Sequence, residues 1–170
     1  AVRIGQREIL LVLLHADNQT FPRHIEETLV ENTAEHHRPF DQAGDFVHQL
    51  GAVTGNVTLG ERVYVAPSAS VRGDEGQSIY IGDESNVQDG VVLHGLETIE
   101  HGKEIAKNQV EVAGKKYSVY VGKRVSMAHQ SQVHGPAKVG DDSFIGMQAL
   151  VFKAELGDRV VVEPGAKILG

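Results

Sequence analysis

A chain of 170 residues, 41% of them hydrophobic, fits one domain with a real core and is not a disordered polymer. Its formal charge of −7 argues against a nucleic-acid or anionic-membrane surface. The absence of cysteine excludes disulfides and cysteine-bound zinc, so any metal must be held by histidine or carboxylate.

Aromatic residues make up only 5% of the chain, tryptophan is absent, and there are 19 glycines. That composition favours short β-branched rungs and tight corners over a core anchored by large rings.

Residues 1–45 form an N-terminal segment of uncertain structure. The apolar run from Ile9 to Leu14 suits a buried strand or one side of a helix, and it is too short to span a bilayer. Arg3 and Arg7 before it, with Ala16 after it, resemble the tail of an export signal. The run nevertheless falls short of the ~7–15 residues of such a signal's apolar region. The compartment stays open: soluble, cytoplasmic or exported. From Arg23 to His37, the spacing of Ile25, Leu29 and Val30 predicts a short helix. Glu26 and Glu27 stand early in it and His36, His37 and Arg38 late, as the helix dipole prefers, and Pro39 ends it. Adjacent helical residues point apart, so His36 and His37 read as a solvated helix end and not as a metal site.

From Val53 the pattern changes. Aliphatic residues recur every six positions at Val53, Leu59, Val65 and Val71, and after four extra residues at Ile81, Val87 and Leu93. After a long break they return at Val121, Met127, Val133, Val139, Ile145 and Val151, then at Leu156, Val162 and Ile168. Four places after most of them stands a small or β-branched residue, such as Val57, Ala69, Ser85, Ser131 or Ala149. A six-residue period is what a parallel β-helix with flat faces requires. The expected fold is all-β: a single-stranded left-handed parallel β-helix, shaped as a triangular prism, over residues 46–170. Leu93 and Val121 lie 28 positions apart where the period asks for six, so a loop protrudes at about 95–118. The last repeats leave a coil edge, which either residues 1–45 or something outside this sequence is expected to cover.

The period also converts spacing into geometry. Once the break is removed, Leu93 and Val133 are one coil apart, so His94 and His134 occupy one column on one face, with Arg72 a coil below. Coils stack about 4.8 Å apart, close enough for two imidazoles to converge on one ion. His129 faces another direction, and in a threefold assembly it can complete a neighbour's pair.

Three segments carry a resemblance to a known family: Arg72-Gly73-Asp74-Glu75-Gly76, Asn86-Val87-Gln88-Asp89-Gly90-Val91-Val92-Leu93-His94 and Ala128-His129-Gln130-Ser131-Gln132-Val133-His134-Gly135-Pro136. Together they resemble the gamma-class carbonic anhydrases, nearest the archaeal prototype with an acidic loop. The likeness runs roughly from Phe46 to Gly170. It implies a homotrimer with zinc at each subunit interface, iron or cobalt being the alternatives. His94 and His134 would come from one subunit and His129 from the next. The resemblance further implies that Arg72 pairs across the interface with a residue matching Asp74. Gln88 would orient metal-bound hydroxide, with Asn86 close by. Glu75 would stand beside the hydration site, and Glu97 would be the proton shuttle.

The implied activity is reversible hydration of carbon dioxide to bicarbonate, a metal-dependent lyase reaction. The chain departs from the family in residues 1–45, which match nothing in it, and in lacking the usual further coil and closing helix. Two other readings stay open: a non-catalytic scaffold subunit of the same family, and a hexapeptide-repeat acyltransferase that would need no metal.

Overall fold

The computed structural model describes residues 2–4, 7–9 and 46–170. From Phe46 the chain winds through three parallel sheets in strict rotation, so neighbours within a sheet are one coil apart in sequence. The first face holds Phe46–Val47, Tyr64–Val65, Asn86–Val87, Ser126–Met127, Phe144–Ile145 and Val161–Val162. The second holds Ala52–Gly55, Ser70–Gly73, Val92–His94, Gln132–His134, Leu150–Phe152 and Lys167–Leu169. The third holds Val57–Leu59, Ile79–Ile81, Val119–Val121, Ala137–Val139 and Glu155–Leu156. The expected all-β parallel β-helix is the fold.

Two- to four-residue strands suffice because each coil supplies backbone partners to the next, while β-branched side chains stack inside. The aliphatic column counted in sixes is the core. Val53, Leu59, Val65, Val71, Ile81, Val87, Leu93, Val121, Met127, Val133, Val139, Ile145 and Val151 are all buried. The small residues line its inner corners. There the buried Ser85 hydroxyl donates to Gly122 O at 2.9 Å and accepts from the Val125 amide at 3.0 Å. Serine at such a corner satisfies backbone groups that an apolar side chain would leave orphaned.

The corner between the third and first faces turns on residues with positive φ that are not glycine: Arg62, Glu84, Arg124, Asp142 and Arg159. They stack coil on coil with alternating sign. Arg62 pairs with Glu84, and Arg124 Nη2 donates to Asp142 Oδ2 at 2.9 Å. Coil-to-coil backbone hydrogen bonds on both sides of each turn hold a conformation that such residues rarely adopt alone.

Both breaks in the period leave the prism at the same corner, between the second and third faces, in consecutive coils. The first is the turn at residues 74–77. The second, 95–118, has structure of its own. It contains an antiparallel pair Ile99–Glu100 with Lys103–Glu104, a 3-10 turn Ala106–Asn108, and a second pair Val110–Val112 with Lys115–Tyr117. Tyr117 pins the end of this excursion to the third face, its ring 5.9 Å from Tyr80 and 5.2 Å from Tyr120.

At the start of the chain, Val2–Ile4 lies parallel to Val57–Leu59 and Arg7–Ile9 folds back antiparallel on it. Ile9 therefore ends a short strand. The rest of the apolar run and the helix expected from Arg23 to His37 lie outside the described residues. Val2–Ile4 sits at the first coil, the opposite end of the stack from Lys167–Leu169, so this pair of strands does not cover the last coil. Among the described residues no helix is long and apolar enough to cross a membrane.

Candidate metal centre

The second face aligns Thr54, Arg72, His94 and His134 in register, one residue per coil, and continues with Phe152 and Leu169. The column counted from the sequence is therefore real. Each of these residues follows an inward aliphatic one, so period-two alternation turns them outward. The His94 and His134 rings meet edge to face, with centroids 5.3 Å apart. Phe152 packs on the far side of His134 at 5.4 Å, and the His134 Nδ1 lies 3.1 Å from Gly135 O. If Nδ1 carries the proton, it donates to that carbonyl and leaves Nε2 with the lone pair a metal requires.

The turn at 74–77 delivers two carboxylates to this column. Asp74 Oδ1 lies 3.0 Å from His94 Nε2 and Glu75 Oε1 lies 3.5 Å from it. Arg72 Nη2 approaches the same nitrogen at 2.9 Å, while Arg72 Nε pairs with Asp74 Oδ2 at 3.2 Å. One ring nitrogen can either donate to the aspartate or accept from the arginine, so the tautomer decides which contact is a hydrogen bond. Arg72 and Asp74 thus pair within one chain here.

His129 stands on the corner that precedes the second face, with Asp89 one coil below it. Its Nδ1 lies 3.2 Å from Asp89 Oδ2, and both side chains are more than half exposed. Just before Asp89, Gln88 Nε2 donates to Asn86 Oδ1 at 3.1 Å and to Ser126 Oγ at 3.3 Å. Ser126 Oγ in turn donates to Asn86 Oδ1 at 3.1 Å.

The candidate residues therefore fall into two groups. Arg72, Asp74, Glu75, His94 and His134 are gathered on the second face. Asn86, Gln88, Asp89, Ser126 and His129 occupy the first face and its corner. Among the described residues no hydrogen bond, ion pair or ring contact links one group to the other. Glu97 belongs to neither: it is exposed at the root of the excursion, and its backbone carbonyl accepts from Asn108 Nδ2 at 2.7 Å.

Sequence reasoning missed Asp89, Ser126 and Phe152. The register that set Arg72 under His94 also sets Asp89 under His129, Asn86 under Ser126, and Phe152 over His134, so the signal was present in the counting.

The donor set suits a metal. Ligand atoms of Asp74, Glu75 and His94 all lie within 4.8 Å of one another, and a second imidazole stands beside them. Imidazole nitrogen with carboxylate oxygen is the ligand chemistry of zinc and its first-row neighbours.

No protein-family model matches the chain. It is 59% identical over 126 residues to a protein named "Carbonic anhydrase" from Methanosarcina thermophila, a match covering 74% of this chain and 51% of that one. It is 44% identical over 117 residues to "Carboxysome assembly protein CcmM" from Nostoc, covering 69% of this chain and 20% of that one. It is also 29% identical over 118 residues to "Carnitine operon protein CaiE" from Escherichia coli K12, covering 69% and 50%. The chain thus spans about half the length, or less, of these relatives.

Proposed function

We propose, from the premise that this chain is a relative of the gamma-class carbonic anhydrases, that it catalyses the reversible hydration of carbon dioxide at a metal shared between subunits of a homotrimer. The observation that carries this reading is the division of the candidate residues into two unlinked groups. Each group holds imidazole and polar hydrogen-bonding side chains, and the two look outward from different walls of one prism. A neighbouring subunit related by threefold symmetry can bring the His129 group of one chain against the His94 and His134 group of the next.

His94, His134 and the neighbour's counterpart of His129 would hold zinc, with iron or cobalt as alternatives. When bound, such an ion lowers the pKa of a coordinated water to about 7, an effect for which zinc carbonic anhydrases are themselves the reference case.

The chain's own residues supply the rest. Asp89 fixes the His129 ring by holding Nδ1, which leaves Nε2 for ligation. The Gln88 amide nitrogen is spent on Asn86 and Ser126, so its carbonyl oxygen is the group left to accept a hydrogen bond from the attacking water. Glu75 stands 3.5 Å from His94 Nε2, next to where carbon dioxide must be held. Glu97, exposed at the root of the excursion, passes the released proton to buffer. Arg72 neutralises Asp74 and keeps that carboxylate on the histidine column.

Metal content after dialysis, measured with stopped-flow hydration of carbon dioxide on the same preparation, tests the reading. Stoichiometric zinc with buffer-dependent turnover is expected. The match to a carboxysome assembly protein favours a second reading, a non-catalytic assembly subunit of the same family. A trimer that holds metal and hydrates nothing would establish that one instead. A metal-free protein active in acyl transfer would point to the hexapeptide-repeat acyltransferases.

A further inference from the structure

The two breaks in the period are joined, and the Thr98 side chain makes the closest junction. Thr98, fully buried near the start of the excursion, makes three hydrogen bonds to the turn at 74–77. Its hydroxyl donates to Glu75 O at 2.6 Å and accepts from the Gln77 amide at 2.6 Å, and its own amide donates to Glu75 O at 2.8 Å. Gly76 lies beneath this contact with φ of +99°, and a Cβ there would come within 2.5 Å of Thr98 Oγ1. On its other side the Thr98 carbonyl accepts from the Ile105 amide at 2.8 Å, and Asn108 Nδ2 donates to the carbonyl of Glu97. The bases of both insertions close together as well, the Ser118 amide donating to Ser78 O at 2.9 Å.

We propose that Thr98 is a positioning residue: its hydroxyl locks the root of the excursion to the 74–77 turn, so that Asp74 and Glu75 on the histidine column and Glu97 at the root of the excursion are held as one rigid unit. The side chain adds what a backbone contact alone could not. A hydroxyl that donates and accepts at once clamps the carbonyl of residue 75 and the amide of residue 77, fixing the peptide planes on either side of Gly76. Asp74 and Glu75 hang from that clamped backbone and Glu97 from the residue just before Thr98. Loss of the hydroxyl frees all three carboxylates together while leaving every histidine untouched. The catalytic part of this proposal rests on the carbonic anhydrase reading. The structural part does not.

The test is amide hydrogen exchange and steady-state hydration on the zinc-loaded wild type, Thr98→Val and Thr98→Ser. In the wild type, the Gln77 and Thr98 amides should exchange at the slow rates of the prism strands, not at those of Glu100 to Lys103. Thr98→Val should speed exchange at Gln77 by about tenfold, the order expected when a part-buried donor loses its partner. It should lower kcat more than kcat/KM, most visibly at low buffer concentration, with zinc content and trimer mass unchanged. Thr98→Ser should stay within about twofold of wild type in every readout, because it keeps the bonding group.

Fast exchange at Gln77 in the wild type would overturn the clamp even if Thr98→Val failed to fold. Equal damage from serine and valine would overturn it too, since the methyl group and not the hydroxyl would then matter. A wild type that hydrates no carbon dioxide would end the reading of the preceding section while the exchange data still judged Thr98.

Discussion

Two columns of the same prism handle charge in opposite ways. At the corner between the third and first faces, Arg62, Glu84, Arg124, Asp142 and Arg159 climb coil by coil with alternating sign, and four of these five charges pair within the column. On the second face the climb is Thr54, Arg72, His94, His134 and Phe152, with no carboxylate of its own. Its negative partners, Asp74 and Glu75, arrive from an inserted turn that the repeat does not need. The corner column rides on positive-φ turns and the second-face column on β-strands, and the two also differ in where their charges find partners. A column that balances itself stabilises the solenoid. One that collects ring nitrogens and takes its acids from an insertion gathers the donor types of a candidate metal site.

The largest effect should come from the second face. His94→Ala is expected to abolish both zinc retention and hydration, with the fold preserved because the ring points outward from the core. Metal analysis, circular dichroism and stopped-flow assay on one sample check this. Full activity in the variant would remove the functional half of the contrast.

An intermediate effect belongs to the insertion that feeds that column. Gly76→Ala must accept both a left-handed conformation and a contact with Thr98 Oγ1. It should lose about 1–3 kcal/mol in urea unfolding, with a drop in hydration because Glu75 moves.

The smallest effect should come from the self-balancing corner. The hydrogen bond from Arg124, more than its charge, holds the Asp142 carboxyl below the usual carboxylate range. The pair's contribution is therefore complete above the ordinary carboxylate pKa and is lost as pH falls through the lowered folded-state value. Arg124→Ala should lower the urea midpoint only slightly at neutral pH, and wild type and variant should converge at acid pH. High salt should narrow the gap as well.

These contrasts show why some of the molecule could be read from its sequence and some could not. Inward positions such as Leu93, Val121 and Val133 must be apolar in every coil, so the period survives in the letters and fixes which outward residues share a column. Counting alone placed Arg72, His94 and His134, and it would have placed Asp89 under His129 had the same subtraction been applied there. The insertions obey no period. The 74–77 turn reads as four surplus residues until Gly76 is seen at positive φ with Thr98 packed over it. The two strand pairs within 95–118 depend on turn geometry at Gly102 and Gly114, for which no repeat supplies a ruler. Val2–Ile4 joins the third face through backbone hydrogen bonds that almost any side chains would permit.

Whether the metal is shared between subunits can be measured by mixing. His94→Ala and His129→Ala trimers should each be empty and inactive alone. Dissociated and reassembled in equal amounts, they should regain about one quarter of the wild-type zinc and hydration. That is the fraction of interfaces in a random cyclic trimer at which an intact His94 subunit meets an intact His129 neighbour. No recovery on mixing would contradict a shared site, as would a His129→Ala trimer that keeps its full complement of metal.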